Sequence, residues 1–166
     1  EKKEPLTILN GWKIINEFDV VYVLNETINI ENGGEKTYPI GYYWLEDNIV
    51  VNITDDIETI EVEEGNPYYH GAGNCLIETQ TKTLVLGCKN SVIPDDGSVT
   101  KIGKCAFNGC QALKRIEIPE SVTELGYMSL AYTGLEELVV PEHLEEIATH
   151  AFSLNRYLER IVVKEQ

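Results

Sequence analysis

Residues 116–137 read IEIPESVTELGYMSLAYTGLEE, and residues 138–160 read LVVPEHLEEIATHAFSLNRYLER. The two stretches are one pattern written twice. Each opens on a short apolar run that ends at a proline, Pro119 or Pro141. Six residues on stands Leu125 or Ile147, and five further Leu130 or Phe152. A leucine follows, Leu135 or Leu158, and the next run begins three residues beyond it, at Leu138 or Ile161. The frame extends backwards through Pro94, Ile102, Phe107 and Leu113, where PDDGS adds two residues. Earlier still, Ile57, Ile60 and Val62 match Leu158, Ile161 and Val163.

A period of 22 to 25 residues lies within the roughly 20–29 of leucine-rich repeats. Each repeat is expected to supply one short strand whose alternate side chains point inward. Ile116 and Ile118, Leu138 and Val140, and Ile161 and Val163 then face the core. The register predicts one buried column through Ile118, Val140 and Val163, with Glu117, Val139 and Val162 exposed. The proline after each strand has no N–H to donate and ends the ladder. Ala106-Phe107 and Ala151-Phe152 fall in a helical or irregular turn that drives an aromatic ring into the stack. One repeat cannot bury its own apolar face, so neighbours must stack.

The pattern Ile-x-Ile-Pro-x-Ser-Val-Thr-x-Leu-Gly, followed by Ala-Phe, and phrases such as IPDDGSVTKIGKCAFNGC resemble the BspA-type leucine-rich repeat family. The resemblance covers roughly residues 57–166. It departs from the pattern at Ser129-Leu130, where Ala-Phe is expected, and at His143-Leu144, where Ser-Val is expected. It implies an α/β repeat fold: a short leucine-rich-repeat solenoid, one strand and one helical or irregular turn per repeat. It also implies a secreted or cell-surface protein engaged in adhesion or protein binding, with a host protein or glycan as partner and no enzymatic activity. A structural spacer presenting another domain of a larger surface protein is the alternative.

Between Val62 and Ile93 the repeat is interrupted. Two apolar runs around a polar turn, 75–86, read as an inserted β-hairpin within about 66–88. Residues 1–56 do not fit the repeat. Strand-like runs at 20–23, 27–30, 42–44 and 49–53, with the turn signal Asn32-Gly33-Gly34, mark a β-rich N-terminal cap or a small domain.

The chain has 166 residues and a formal net charge of -15, with 16 acids and 6 bases in 1–90 and 12 and 7 in 91–166. Such acidity repels phosphate backbones and anionic lipid, so nucleic-acid binding is not expected. No run approaches the ~18 apolar residues of a spanning helix, so neither is membrane insertion. The chain opens at Glu1 without a Met and reads as a mature or trimmed product.

No metal, cofactor or catalytic residue is expected. Cys75, Cys88, Cys105 and Cys110 with His70, His143 and His150 do not form a zinc-ligand spacing, and no nucleophile, base and acid fall together on the repeat frame. All four cysteines are expected as free thiols, Cys110 buried. The acidic run Asp55, Asp56, Glu58, Glu61, Glu63 and Glu64 reads as a solvated edge. Tyr42-Tyr43-Trp44 reads as cap packing rather than a sugar-stacking platform. Asn25-Glu-Thr27 and Asn52-Ile-Thr54 are glycosylation sequons, expected by chance in a chain of this length.

Outward strand positions align in two columns: Thr59, Asn90, Arg115, Glu137 and Arg160, then Glu61, Val92, Glu117, Val139 and Val162. With strands about 4.8 Å apart, Arg115, Glu137 and Arg160 stand as an alternating-charge ladder. The candidate partner-binding residues are Arg115, Glu117, Glu137, Val139, Arg160 and Val162. The strand edge at 161–163 is expected to allow weak self-association, or to have been covered by further repeats trimmed away.

Overall fold

The computed structural model describes residues 57–165 in full and, within 1–56, the backbone of six strands. These are β1 (Leu6–Ile8), β2 (Tyr22–Leu24), β3 (Thr27–Ile30), β4 (Gly34–Thr37), β5 (Gly41–Glu46) and β6 (Ile49–Asn52). β2, β5 and β6 form an antiparallel sheet, and β3 pairs with β4. Asn32-Gly33, Asn25 of the first sequon, and Asp55 and Asp56 lie outside the described residues, as do the side chains of Tyr42, Tyr43 and Trp44.

β7 (Ile60–Val62) lies parallel to β1, with Ile60 opposite Leu6. β8 (Tyr69–Ala72), β9 (Cys75–Glu78) and β10 (Thr83–Leu86) form an antiparallel meander. Its last strand turns the pairing parallel, because β10 bonds to β11 (Lys101–Ile102). There follow β12 (Arg115–Glu117), β13 (Glu124–Leu125), β14 (Glu137–Pro141), β15 (Glu146–Ile147) and β16 (Arg160–Lys164).

Each full repeat thus supplies two parallel strands to two sheets. One sheet runs β12-β14-β16; the other runs β15-β13-β11-β10-β9-β8. Ile116, Leu138 and Ile161 stand in register, as do Ile102, Leu125 and Ile147. Pro141 sits at the last position of β14, where a missing N–H costs least.

Of the helical or irregular turn expected in each repeat, the structure has the irregular form: the described residues contain no helix. The reason lies in where the turn N–H groups go. Cys105, Met128 and His150 sit at φ 55, 51 and 60°, and Gly109, Tyr132 and Leu154 at 83, 54 and 60°. Two left-handed residues per repeat break any i→i−4 series. The freed N–H groups bond sideways to the next repeat instead. Phe107 N–H donates to Ser129 O at 2.8 Å, Gly109 to Ala131 at 3.1 Å, Leu130 to Ala151 at 2.8 Å, and Tyr132 to Ser153 at 3.0 Å.

The core lies between the two sheets and this turn. Phe107, Leu130, Leu113, Leu135, Ile118 and Leu125 are buried, each contributing about 1.5–3 kcal/mol by leaving water. Gly87 is required there, since a Cβ at that position would collide with the Phe107 ring. Cys110 is buried, as its place after Ala-Phe implies.

The expected buried column needs two corrections. Ile118 and Val140 are buried, but Val163 is 55% exposed, because no described residue stacks on the far side of β16. Val139, expected to be exposed, is only 7% exposed. Glu117, the register partner of Val139 on β12, and Lys164 on β16 form an ion pair at 2.8 Å that spans β14.

Candidate interaction surface

The outward face of β12-β14-β16 carries the expected charge ladder. Arg115, Glu137 and Arg160 are register partners, and both guanidinium groups bond the Glu137 carboxylate. The Arg160 hydrogen bond, helped by the nearby Arg115 charge, holds Glu137 below the usual glutamate range. Lys164 does the same to Glu117, and its own ammonium is held above the usual lysine range by that bond. Arg115, Arg160, Glu117 and Lys164 are solvent-exposed, so these ion pairs shape the face more than they stabilise the fold, while Glu137, 13% exposed, is enclosed between its two arginines. Val162 is half-buried beside them.

The columns do not continue across the molecule as the sequence pattern suggests. Asn90 turns away and donates to Glu58 O at 3.2 Å, and Thr59 precedes the strand. Glu61 and Val92 are exposed, Val92 by 72%. Within the acidic run, Glu58 pairs with Lys89 at 2.9 Å.

Between the 91–93 segment and β12 lies a groove of about 350 Å³. Sequence reading missed it, along with Asp95 and Lys164. The signal was present in the spacing. Val92 and Glu117 are 25 residues apart, against 22 from Glu117 to Val139 and 23 from Val139 to Val162. The extra residues fall in PDDGS, directly after the 91–93 segment, and Asp95 of that insertion lines the groove.

The remaining chemistry is local. His143 bonds Glu120 O at 2.7 Å, His150 meets Ser153 Oγ at 2.9 Å, and His70 meets Thr79 Oγ1 at 2.8 Å. The described residues hold no cluster of metal-ligating side chains, and no helix among them is long and apolar enough to cross a membrane. Cys75, Cys88, Cys105 and Cys110 are free. Burial pushes the Cys75 thiol up to about 12.

Known proteins bear on this geometry. Residues 85–166 match the family described as a BspA type leucine rich repeat region (6 copies). No curated protein matches the chain. Among solved structures the chain is similar to the crystal structure of the pneumococcal vaccine antigen PcpA, at 16% identity and a TM-score of 0.49. That likeness covers 68% of this chain and 34% of the antigen, so the chain spans about a third of its length. Residues 85–166 of this chain belong to the BspA-type leucine-rich repeat family.

Proposed function

We propose that the chain is a non-enzymatic interaction module of a secreted or cell-surface protein. Its repeats form a short solenoid that binds a host protein or glycan through the β12-β14-β16 face. The observation that carries this reading is the Arg115–Glu137–Arg160 ladder. Three charged side chains stand in register on the outward side of one sheet. Repeat folds use such extended faces for binding. The face groups the cations Arg115, Arg160 and Lys164 with Glu117 and Glu137, within a chain of net charge -15. Family membership supports the surface location and the binding role. The test is an array of matrix proteins and glycans probed with the purified chain and with an Arg115→Ala/Arg160→Ala/Val162→Ser variant. A partner bound by the parent and lost by the variant supports the reading. A partner bound equally by both, or none at all, overturns it.

A further inference from the structure

The groove beside β12 carries an inference separate from the outward face. In a parallel strand, the N–H and C=O of one residue point to the same side, and successive residues alternate. Lys114 O accepts from Glu136 N–H, and Ile118 N–H donates to Val139 O at 2.8 Å, so the even-numbered residues of β12 face β14. Arg115 and Glu117 therefore turn their main-chain groups the other way, into the groove. No described residue meets those groups there. The 91–93 segment lies across the gap but is anchored on its far side. Val92 N–H donates to Gly73 O at 2.8 Å, and Ser91 Oγ donates to Asn74 O at 2.6 Å. Gly73 permits this approach, since its φ is +58° and a Cβ there would strike Val92 O. The PDDGS insertion supplies the slack that lets the segment stand off from β12. The result is a gap in an otherwise parallel stack, floored by Ile93 and Ile116.

The charge at the groove mouth is unbalanced. Lys164 bonds Glu117 and also feels Glu120 and Asp95. Arg115, the other cation lining the groove, is already bonded to Glu137, so Glu117, Glu120 and Asp95 are left chiefly to Lys164, with His143 at 3.5 Å from Glu120 adding charge only when protonated. A strand entering the gap would bring main-chain partners for Arg115 and Glu117, and a cation on it would correct the imbalance.

We propose that this groove is a binding site for an extended peptide segment carrying a basic residue, which adds as a strand to the open edge of β12. Main-chain bonds to Arg115 and Glu117 give affinity, and the cation opposite Glu117 and Asp95 gives selectivity. This is strand addition to a sheet edge, in which alternate side chains set specificity.

The test uses the peptide acetyl-Thr-Val-Lys-Val-Thr-amide against the full chain, followed by amide exchange in NMR. Saturating peptide is expected to slow exchange of the Arg115 and Glu117 amides by about tenfold or more. Replacing Lys by Glu in the peptide, or N-methylating its central amides, should abolish that protection. Asp95→Lys, at an exposed position, should weaken binding at least ~5-fold through lost charge complementarity while leaving the melting temperature unchanged. Unchanged exchange at Arg115 and Glu117 with peptide in excess, or equal binding of the N-methylated peptide, would overturn the proposal. An Arg160→Ala/Val162→Ser variant, altered on the outward face alone, should bind the peptide like the parent, so failure of the proposed function leaves this test readable.

Discussion

Ser129 is the most informative side chain to change. It stands where the repeat pattern calls for alanine, in register with Ala106 and Ala151, both of which are buried. Ser129 is fully buried too, and its hydroxyl has no hydrogen-bond partner. Its main chain is satisfied: the N–H donates to Gly126 O at 3.1 Å and the C=O accepts from Phe107 N–H at 2.8 Å. The hydroxyl alone is left desolvated, at a cost of about 1–3 kcal/mol. Ser129→Ala removes that cost without disturbing the backbone. A hydroxyl-sized void, at ~24 cal/mol per Å³, takes back only a few tenths of a kcal/mol. At roughly 2–4 °C per kcal/mol for a chain of this size, the melting temperature should rise by about 2–10 °C. Urea unfolding should show a higher midpoint with an unchanged slope, because the surface exposed on unfolding is the same. The reverse changes, Ala106→Ser and Ala151→Ser, should each destabilise. A Ser129→Ala protein no more stable than the parent would refute the reasoning, since the hydroxyl must then be bonded in the folded chain.

Asn155→Ala should cost about 2–4 kcal/mol by urea unfolding, because its amide takes bonds at 2.8 Å from Thr133 N–H and Thr133 Oγ1 and gives one to Leu130 O. Val140→Asp should unfold the repeats, since it buries an unpaired charge, whereas Val163→Asp at the exposed edge should keep most of the parent's melting temperature. Carboxyl NMR titration should find Glu137 below its ordinary value of about 4.5, and Arg160→Ala should move it back up. Because folding lowers that value, its contribution is present above the unfolded value and is lost as pH falls through the folded one. Alkylation of the native protein at about pH 8 should label the half-buried Cys105 first and Cys75 last, because the thiolate is the reacting form. Mass spectrometry without reductant reads the order.

The outward ladder was legible because strand alternation and a repeat of constant length fix it: Arg115, Glu137 and Arg160 fall in register from spacing alone. The second strand of each repeat was not. Glu124–Leu125 and Glu146–Ile147 are two residues long, too short to show alternation. The turns read as possible helix because Met128, His150, Tyr132 and Leu154 are not the glycines or asparagines that signal a left-handed backbone. The ion pair of Lys164 with Glu117 reaches across an intervening strand, a tertiary contact with no local signal. The groove was written in the two extra residues of PDDGS, but spacing alone does not say which way a displaced segment moves. The anchor at Gly73 decides that.

The central claim is that the outward face of β12-β14-β16 engages a macromolecular partner. Its most direct test is the affinity of the array-identified partner for the parent and for the Arg115→Ala/Arg160→Ala/Val162→Ser variant, each at low and at physiological salt. The variant should lose at least ~10-fold in affinity, and the parent's affinity should weaken as salt rises. Equal affinities for the two proteins at both salt concentrations would contradict it.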